Sequence, residues 1–391
     1  MQPHPVHRVG LFFLGVVNGE WSMVNGEPPS PKRSVPFTIH QLPFTLGKRP
    51  ESTPICDLMT DLERIAAQRI LVLDGAMGTM IQRLGLTEED FHPKGMEDHK
   101  ILLKGNNELL SLSRPEAIKR IHEQYLEAGA DIVETNTFSA TSIAQAEHEC
   151  GHLVREMNLA SARLAREACD AFTKKDPSKP RFVAGAIGPM NKTASLSPDV
   201  NDPGYRAVTF DQLVAAYKEQ VEALLDGGVD LLLVETIFDT LNAKAAFYAI
   251  EEVFEARGTR VPLMCSVTIT DASGRTLSGQ TIEAFLISMQ HVPLFSMGLN
   301  CALGAAQMRP YLEVIAEQSP CRVSIYPNAG LPDQMGEYRE TPDVTARLVG
   351  EFMANGWVNV VGGCCGTTPE HIAALAKEAT RHAPRTITVD A

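Results

Sequence analysis

The chain has 391 residues, 44% of them hydrophobic, and a formal net charge of -13 at pH 7. That charge excludes nucleic acid and anionic membrane as principal partners, since both reward clustered lysine and arginine. Eight cysteines in a chain this long are too sparse for a disulfide scaffold, and without a convincing export signal the expected compartment is a reducing cytoplasm.

Residues 1–57 carry Pro28, Pro29, Pro31, Pro36, Pro43, Pro50 and Pro54 with little periodicity. They read as a disordered extension, or as upstream sequence taken in by the choice of start, with Met23 and Met59 as internal alternatives. The apolar run Val9–Val17 is too short to span a bilayer and lacks a small-residue cleavage site. Thr60-Asp61-Leu62-Glu63 has the form of a capping box, which places the start of the folded unit near residue 58.

From there, short apolar runs alternate with amphipathic stretches. Ile70–Leu73 precedes Asp74, Ile132–Val133 precedes Glu134 and Asn136, Phe182–Ile187 precedes Gly188, and Leu231–Val234 precedes Glu235. Leu263–Val267, Met297–Leu299, Val323–Tyr326 and Val358–Val361 follow. Three of these units repeat one pattern: a helix end, a glycine, a buried strand and a polar residue at the strand's end. Phe210–Leu225 and Thr281–Gln290 are among the intervening helical stretches. Alternating strands and helices imply a parallel sheet with right-handed crossovers, and eight such units over about 330 residues favour a closed (β/α)8 barrel for residues 58–391. No Gly-x-Gly-x-x-Gly follows the first strand, which argues against a dinucleotide site. In a barrel the strand ends converge on one rim, which would gather Asp74, Glu134, Asn136, Glu235 and Asn328.

Gly362-Gly363-Cys364-Cys365-Gly366 contains two adjacent cysteines. Neighbours in a strand point to opposite faces, so both can serve one centre only if the backbone leaves strand geometry, which the flanking glycines permit. Adjacent cysteines are poor disulfide partners. The pattern points to a soft metal held by two thiolates, with Cys301 in Gly298–Gly304 as the candidate third; a redox-active thiol pair is the alternative. Three thiolates with an open fourth position suit catalytic zinc, where an incoming thiol can lose its proton and stay nucleophilic. Cys56, Cys150, Cys169, Cys265 and Cys321 are scattered singly and read as small apolar residues. Asp74, in Asp74-Gly75-Ala76-Met77-Gly78, is suited to a substrate ammonium or to capping the next helix. Glu235 is suited to substrate or to a structural ion pair.

These motifs resemble those of the homocysteine S-methyltransferases, and more narrowly the homocysteine-binding domain of cobalamin-dependent methionine synthases. The resemblance runs from about Leu71 to Pro384. It rests on Leu73–Met80, Lys104-Gly105-Asn106-Asn107-Glu108, Glu134-Thr135-Asn136-Thr137-Phe138, Ser197–Pro203, 271–279, Gly298–Gly304 and Gly362–Pro369. It implies zinc on Cys301, Cys364 and Cys365, homocysteine completing the site, and Asp74, Gly75 and Glu235 at the amino-acid end, with Glu134 and Asn136 as further candidates. It also implies methylcobalamin as methyl donor and methionine as product. No cobalamin-holding Asp-x-His-x-x-Gly is read in the chain. The expectation is therefore a fragment or half of a split enzyme, dependent on corrinoid-binding and folate-binding modules, with 76–115 and 190–210 as docking segments. A stand-alone methyltransferase using S-methylmethionine, S-adenosylmethionine or betaine is the rival, and a non-catalytic zinc and homocysteine-binding module is a third reading.

Overall fold

The apolar runs fold as parallel strands: β1 (Leu71–Val72), β2 (Ile132–Glu134), β3 (Phe182–Ile187), β4 (Leu231–Ile237), β5 (Leu263–Val267), β6 (Ser296–Gly304), β7 (Arg322–Asn328) and β8 (Val360–Val361). The structure, a computed structural model, describes residues 60–270 and 273–387. The expectations for residues 1–57, including Val9–Val17, Met23 and Cys56, and the alternative start at Met59 lie outside the described residues, as do Asp271 and Ala272.

The strands pair in the order β1-β8-β7-β6-β5-β4-β3-β2. A parallel bridge from Leu73 to Ile132 joins the two ends, giving a (β/α)8 barrel. A helix lies between each strand and the next, as Phe210–Asp226 does between β3 and β4. That helix starts where Thr209 and Gln212 form a capping box. No helix among the described residues is long and apolar enough to cross a membrane.

The repeated unit has a structural purpose at the barrel floor. Its glycines, Gly129, Gly228 and Gly356, all take left-handed φ of 107°, 87° and 66°, which turns the chain from helix into strand. The polar residue that follows then grips the neighbouring strand. Asp131 accepts the Val72 N–H at 2.9 Å, Asp230 the Val183 N–H at 2.7 Å, and Asn359 the Val323 N–H at 2.9 Å. Arg69 holds the buried Asp131 through two bonds of 2.7 and 2.9 Å, so this carboxylate is paired as well as hydrogen-bonded.

The core has two layers. One lies between strands and helices. The other fills the barrel with inward side chains, among them Leu73, Ile132, Leu233, Met264, Tyr326 and Val360. Leu62 and Ala66 of the short helix Asp61–Ala66 belong to this inner layer, and Cys364 packs against it. The period of two carries this face upward: Leu231 and Leu233 lead to Glu235, and Val360 leads through Gly362 to Cys364. The barrel therefore changes from apolar to polar within one strand length.

Candidate metal centre and substrate pocket

Cys301, Cys364 and Cys365 bring their Sγ atoms within 4.8 Å of one another, and the Sγ atoms of Cys301 and Cys365 are 3.7 Å apart. Metal–sulfur bonds of about 2.3 Å in a tetrahedron require sulfurs about 3.8 Å apart, so the donor set fits zinc in both chemistry and size. All three residues are partly exposed, which leaves the cluster open on one side.

Each cysteine arrives by a different local device. Cys364 continues the inward face of β8, and its N–H is held by the Pro327 carbonyl at 2.8 Å. Cys365 follows in a turn completed by Gly366 at φ 80°, and its carbonyl accepts the Ala329 N–H at 2.9 Å. Cys301 lies inside β6, which runs on to Gly304. Strand alternation would turn Cys301 outward, since Asn300 precedes it on the inner face. Instead Cys301 and Ala302 both take left-handed backbone, φ 59° and 58°, and the register with β7 slips between Asn300 and Gly304. This bulge re-aims the thiol.

The three thiols are not equivalent. Hydrogen bonds from Cys301 and Cys364, with another from Tyr338, hold Cys365 well below the usual thiol range. Cys364 is pushed well above it by its bonds to Cys301 and Cys365.

Beside the sulfurs stand three acids. Asp74 and Glu235 are buried at 3% and 4% exposure, and Glu134 is half-buried. Asp74 accepts the Glu134 N–H at 3.1 Å. Burial raises Asp74 well above the carboxylate range, with the Glu134 charge adding to it. Burial pushes Glu134 up to about 7. Burial also raises Glu235 well above its usual range, and the charges of Glu134, Asp74 and Cys365 add to the effect. Such a pocket resists its own negative charge and favours an incoming cation such as an ammonium group. Gly75 leaves no room for a side chain: a Cβ there would stand 2.8 Å from Thr367 Oγ1 and 2.9 Å from Tyr125 Cε1.

Asn136 has its amide nitrogen engaged within the fold. Its Nδ2 donates to the Asn107 carbonyl at 2.7 Å and to Ser111 Oγ at 3.3 Å, tying the segment after β1 to the end of β2. The sequence places Thr268 and Tyr326 at strand ends but gives neither a role in the site. Thr268 Oγ1 and Asn328 Oδ1 are buried without hydrogen-bond partners at the upper ends of β5 and β7, and Tyr326 Oη is buried with only Ser266 close to it. The charges of Glu235, Glu134 and Cys364 all bear on Tyr326. Unpartnered polar atoms beside a polar pocket suit a ligand with several polar groups.

One reading needs correction. Asp90-Phe91-His92-Pro93-Lys94-Gly95 does fit Asp-x-His-x-x-Gly letter by letter. The structure occupies its parts, however. His92 Nδ1 is bonded to the Met96 carbonyl at 2.7 Å and Nε2 to Glu88 at 3.0 Å, while Asp90 holds the Thr87 N–H at 2.7 Å and pairs with Arg114. No ring nitrogen of His92 is free to hold a cofactor.

A family profile described as homocysteine S-methyltransferase matches residues 71–379. Among solved structures, the metallated form of the homocysteine methyltransferase MmuM from Escherichia coli superposes with a TM-score of 0.62 and 27% identity, covering 80% of this chain and 98% of that one. The oxidized form of the same Escherichia coli enzyme gives 0.60 and 26%, covering 79% and 95%.

Proposed function

This chain belongs to the homocysteine S-methyltransferase family, and from that premise we propose that it is the homocysteine-activating half of a methionine-forming methyl transfer, with zinc on Cys301, Cys364 and Cys365 and methylcobalamin on a partner module as donor. The observation that carries this reading is the meeting of three sulfurs within 4.8 Å beside buried carboxylates. Zinc held there supplies the Lewis acidity that lets a thiol lose its proton near neutral pH. The metallated form of the Escherichia coli relative supports a metal in this family.

The chain's own residues bind and orient. Glu235 and Asp74, with Glu134 close enough for its charge to bear on both, receive the ammonium of homocysteine, whose positive charge favours their ionised forms against the burial that raises their pKa values. Gly75, by lacking a side chain, lets Thr367 and Tyr125 close on the backbone next to Asp74, which sets that segment at the substrate's amino-acid end. The inner layer below Glu235, made by Leu233, Met264 and Tyr326, keeps bulk water from the pocket floor. With the thiol already deprotonated, the transfer itself needs alignment of sulfur, methyl carbon and leaving group rather than a general base.

Methylcobalamin as donor is supported by Lys104–Glu108 and Ser197–Pro203, whose resemblance is to the cobalamin-dependent enzymes. Those motifs lie in the long segments after β1 and β3. Leu102, Val200 and Tyr205 are exposed there, and Leu331 and Met335 are exposed after β7, an apolar rim suited to a corrinoid-bearing and folate-linked partner. Unpaired thiols suit a reducing compartment, which we take to be the cytoplasm. A second reading, a stand-alone enzyme using a sulfonium or betaine donor, is favoured by the match to 98% of the Escherichia coli chain. A donor assay decides between them. Zinc-loaded protein is given homocysteine with methylcobalamin, S-methylmethionine, S-adenosylmethionine or betaine in turn. Methionine from methylcobalamin is the expected result; methionine only from the other donors would falsify the corrinoid reading.

A further inference from the structure

Asn300 is wholly buried and uses both ends of its amide twice. Oδ1 accepts the Thr236 N–H at 3.0 Å and the Ser266 hydroxyl at 2.7 Å. Nδ2 donates to Thr236 Oγ1 at 2.7 Å and to Glu235 Oε2 at 3.3 Å. An amide with donors facing one end and acceptors facing the other has a fixed orientation, because turning it over would set its NH2 against a backbone N–H.

The residues it grips are where β4 is irregular. Thr236 has φ 54°, unusual for a β-branched residue, and the register between β4 and β5 slips between Val234 and Ile237. Asn300 is itself the last regular residue of β6 before the left-handed pair Cys301 and Ala302. One side chain therefore joins two bulges across β5, which contributes Ser266. The first bulge presents Glu235 and the second presents Cys301.

We propose that Asn300 is a positioning residue that locks the Glu235 bulge to the Cys301 bulge, setting the amino-acid end and the metal end of the pocket as one unit. This rests on the homocysteine reading above. Asparagine is chosen by its chemistry. An aspartate would face Glu235 Oε2 with a second acceptor, and alanine or serine would reach neither bulge. The strain of two bulges without glycine is tolerated because their backbone is held from outside.

The test uses the full chain loaded with zinc, titrated with L-homocysteine in a calorimeter, and separately competed for zinc with a chelator. Asn300→Asp keeps the shape and both accepted bonds but replaces the donor facing Glu235. It lowers homocysteine affinity about tenfold or more while zinc affinity stays within about threefold. In a Glu235→Gln background the new carboxylate finds an amide donor, so the same substitution costs less than about threefold. An equal penalty in both backgrounds, or no penalty in the first, overturns the proposal. Should Asn300→Asp not fold, Ser266→Ala removes one bond to Asn300 without touching Glu235. It weakens homocysteine binding about threefold with zinc retained, and unchanged binding overturns the proposal. Failure of the unsubstituted zinc-loaded chain to bind homocysteine removes the functional reading together with this one; binding by that chain with indifference to these substitutions removes this one alone.

Discussion

Cys301 and Cys365 meet with their sulfurs 3.7 Å apart, and neither is carried there by regular strand geometry. Cys301 is turned inward by two left-handed residues inside β6, and Cys365 by a turn beyond β8. Barrel closure brings the two segments to one rim, and local irregularity aims the thiols. Between them Cys364, beyond β8 on the continuation of its inward face, completes a set that three separate backbone devices hold together.

The metal assignment makes a direct prediction. Elemental analysis finds about one zinc per chain, as expected for one three-thiolate site. Cys301→Ala and Cys364→Ala each lose most of it, because removing one of three thiolates leaves two ligands for a metal that prefers four. Full zinc retention in both variants would remove these residues from the ligand set.

Glu235 separates substrate from metal. Its carboxylate is buried, and Asn300 Nδ2 holds it at 3.3 Å. Glu235→Gln keeps the size but removes the charge offered to an ammonium. Homocysteine affinity then falls about tenfold or more while zinc stays bound, since a charge-assisted hydrogen bond in a buried site is worth about 1.5–3 kcal/mol. Equal homocysteine titrations for the two proteins would exclude Glu235 from the substrate pocket.

The turn after Cys365 gives a steric prediction. Gly366 has φ 80°, and a Cβ there would stand 2.2 Å from Tyr338 Cβ and 2.4 Å from Tyr338 Cγ. Gly366→Ala combines a left-handed penalty of about 1–2 kcal/mol with an overlap that displaces Tyr338, for a total of roughly 2–4 kcal/mol. Tyr338 bonds Cys365, so its displacement reaches the metal as well. Urea unfolding and zinc competition should both register the change, and a variant equal to the parent in both would contradict this packing.

Much of this was legible in the sequence, and the physical reason differs by residue. Strand runs such as Phe182–Ile187 are apolar on both faces because a barrel strand is covered by helices outside and side chains within. Glycines in the repeated unit marked where helices end, since left-handed backbone favours them. The double cysteine stood out because alternation forbids its ordinary use. Asn300 and Thr236 were not legible as a pair. Their contact depends on the register of β4, β5 and β6, and register appears only when the barrel closes. The bulges at Thr236 and Cys301 carry no glycine at the left-handed positions themselves, so local composition gave no sign of them. The Asp90–Gly95 pattern shows the opposite failure: correct letters, with their donors and acceptors already used.

The last prediction concerns His122, on the outer helix Pro115–Glu127, away from the sulfur cluster in sequence and function. The ring is fully buried and neither nitrogen has a hydrogen-bond partner. Burial therefore favours the neutral ring and lowers its pKa to about 4. In the unfolded chain the ring titrates near its ordinary value of about 6.5. Between these values the unfolded state binds the extra proton, so stability rises with pH across the window. The contribution is fully present above about 6.5 and is lost as pH falls through about 4, with a loss of about 2 kcal/mol already at pH 5. His122→Phe removes the titration while keeping a ring of similar size. At pH 7 its stability stays within about 1 kcal/mol of the parent, because an unpartnered polar ring gives way to an apolar one. At pH 5 the variant is the more stable by about 2 kcal/mol. Urea unfolding of both proteins at pH 5 and pH 7 checks this, and parallel pH profiles would mean that the ring is accessible to protons in the folded state.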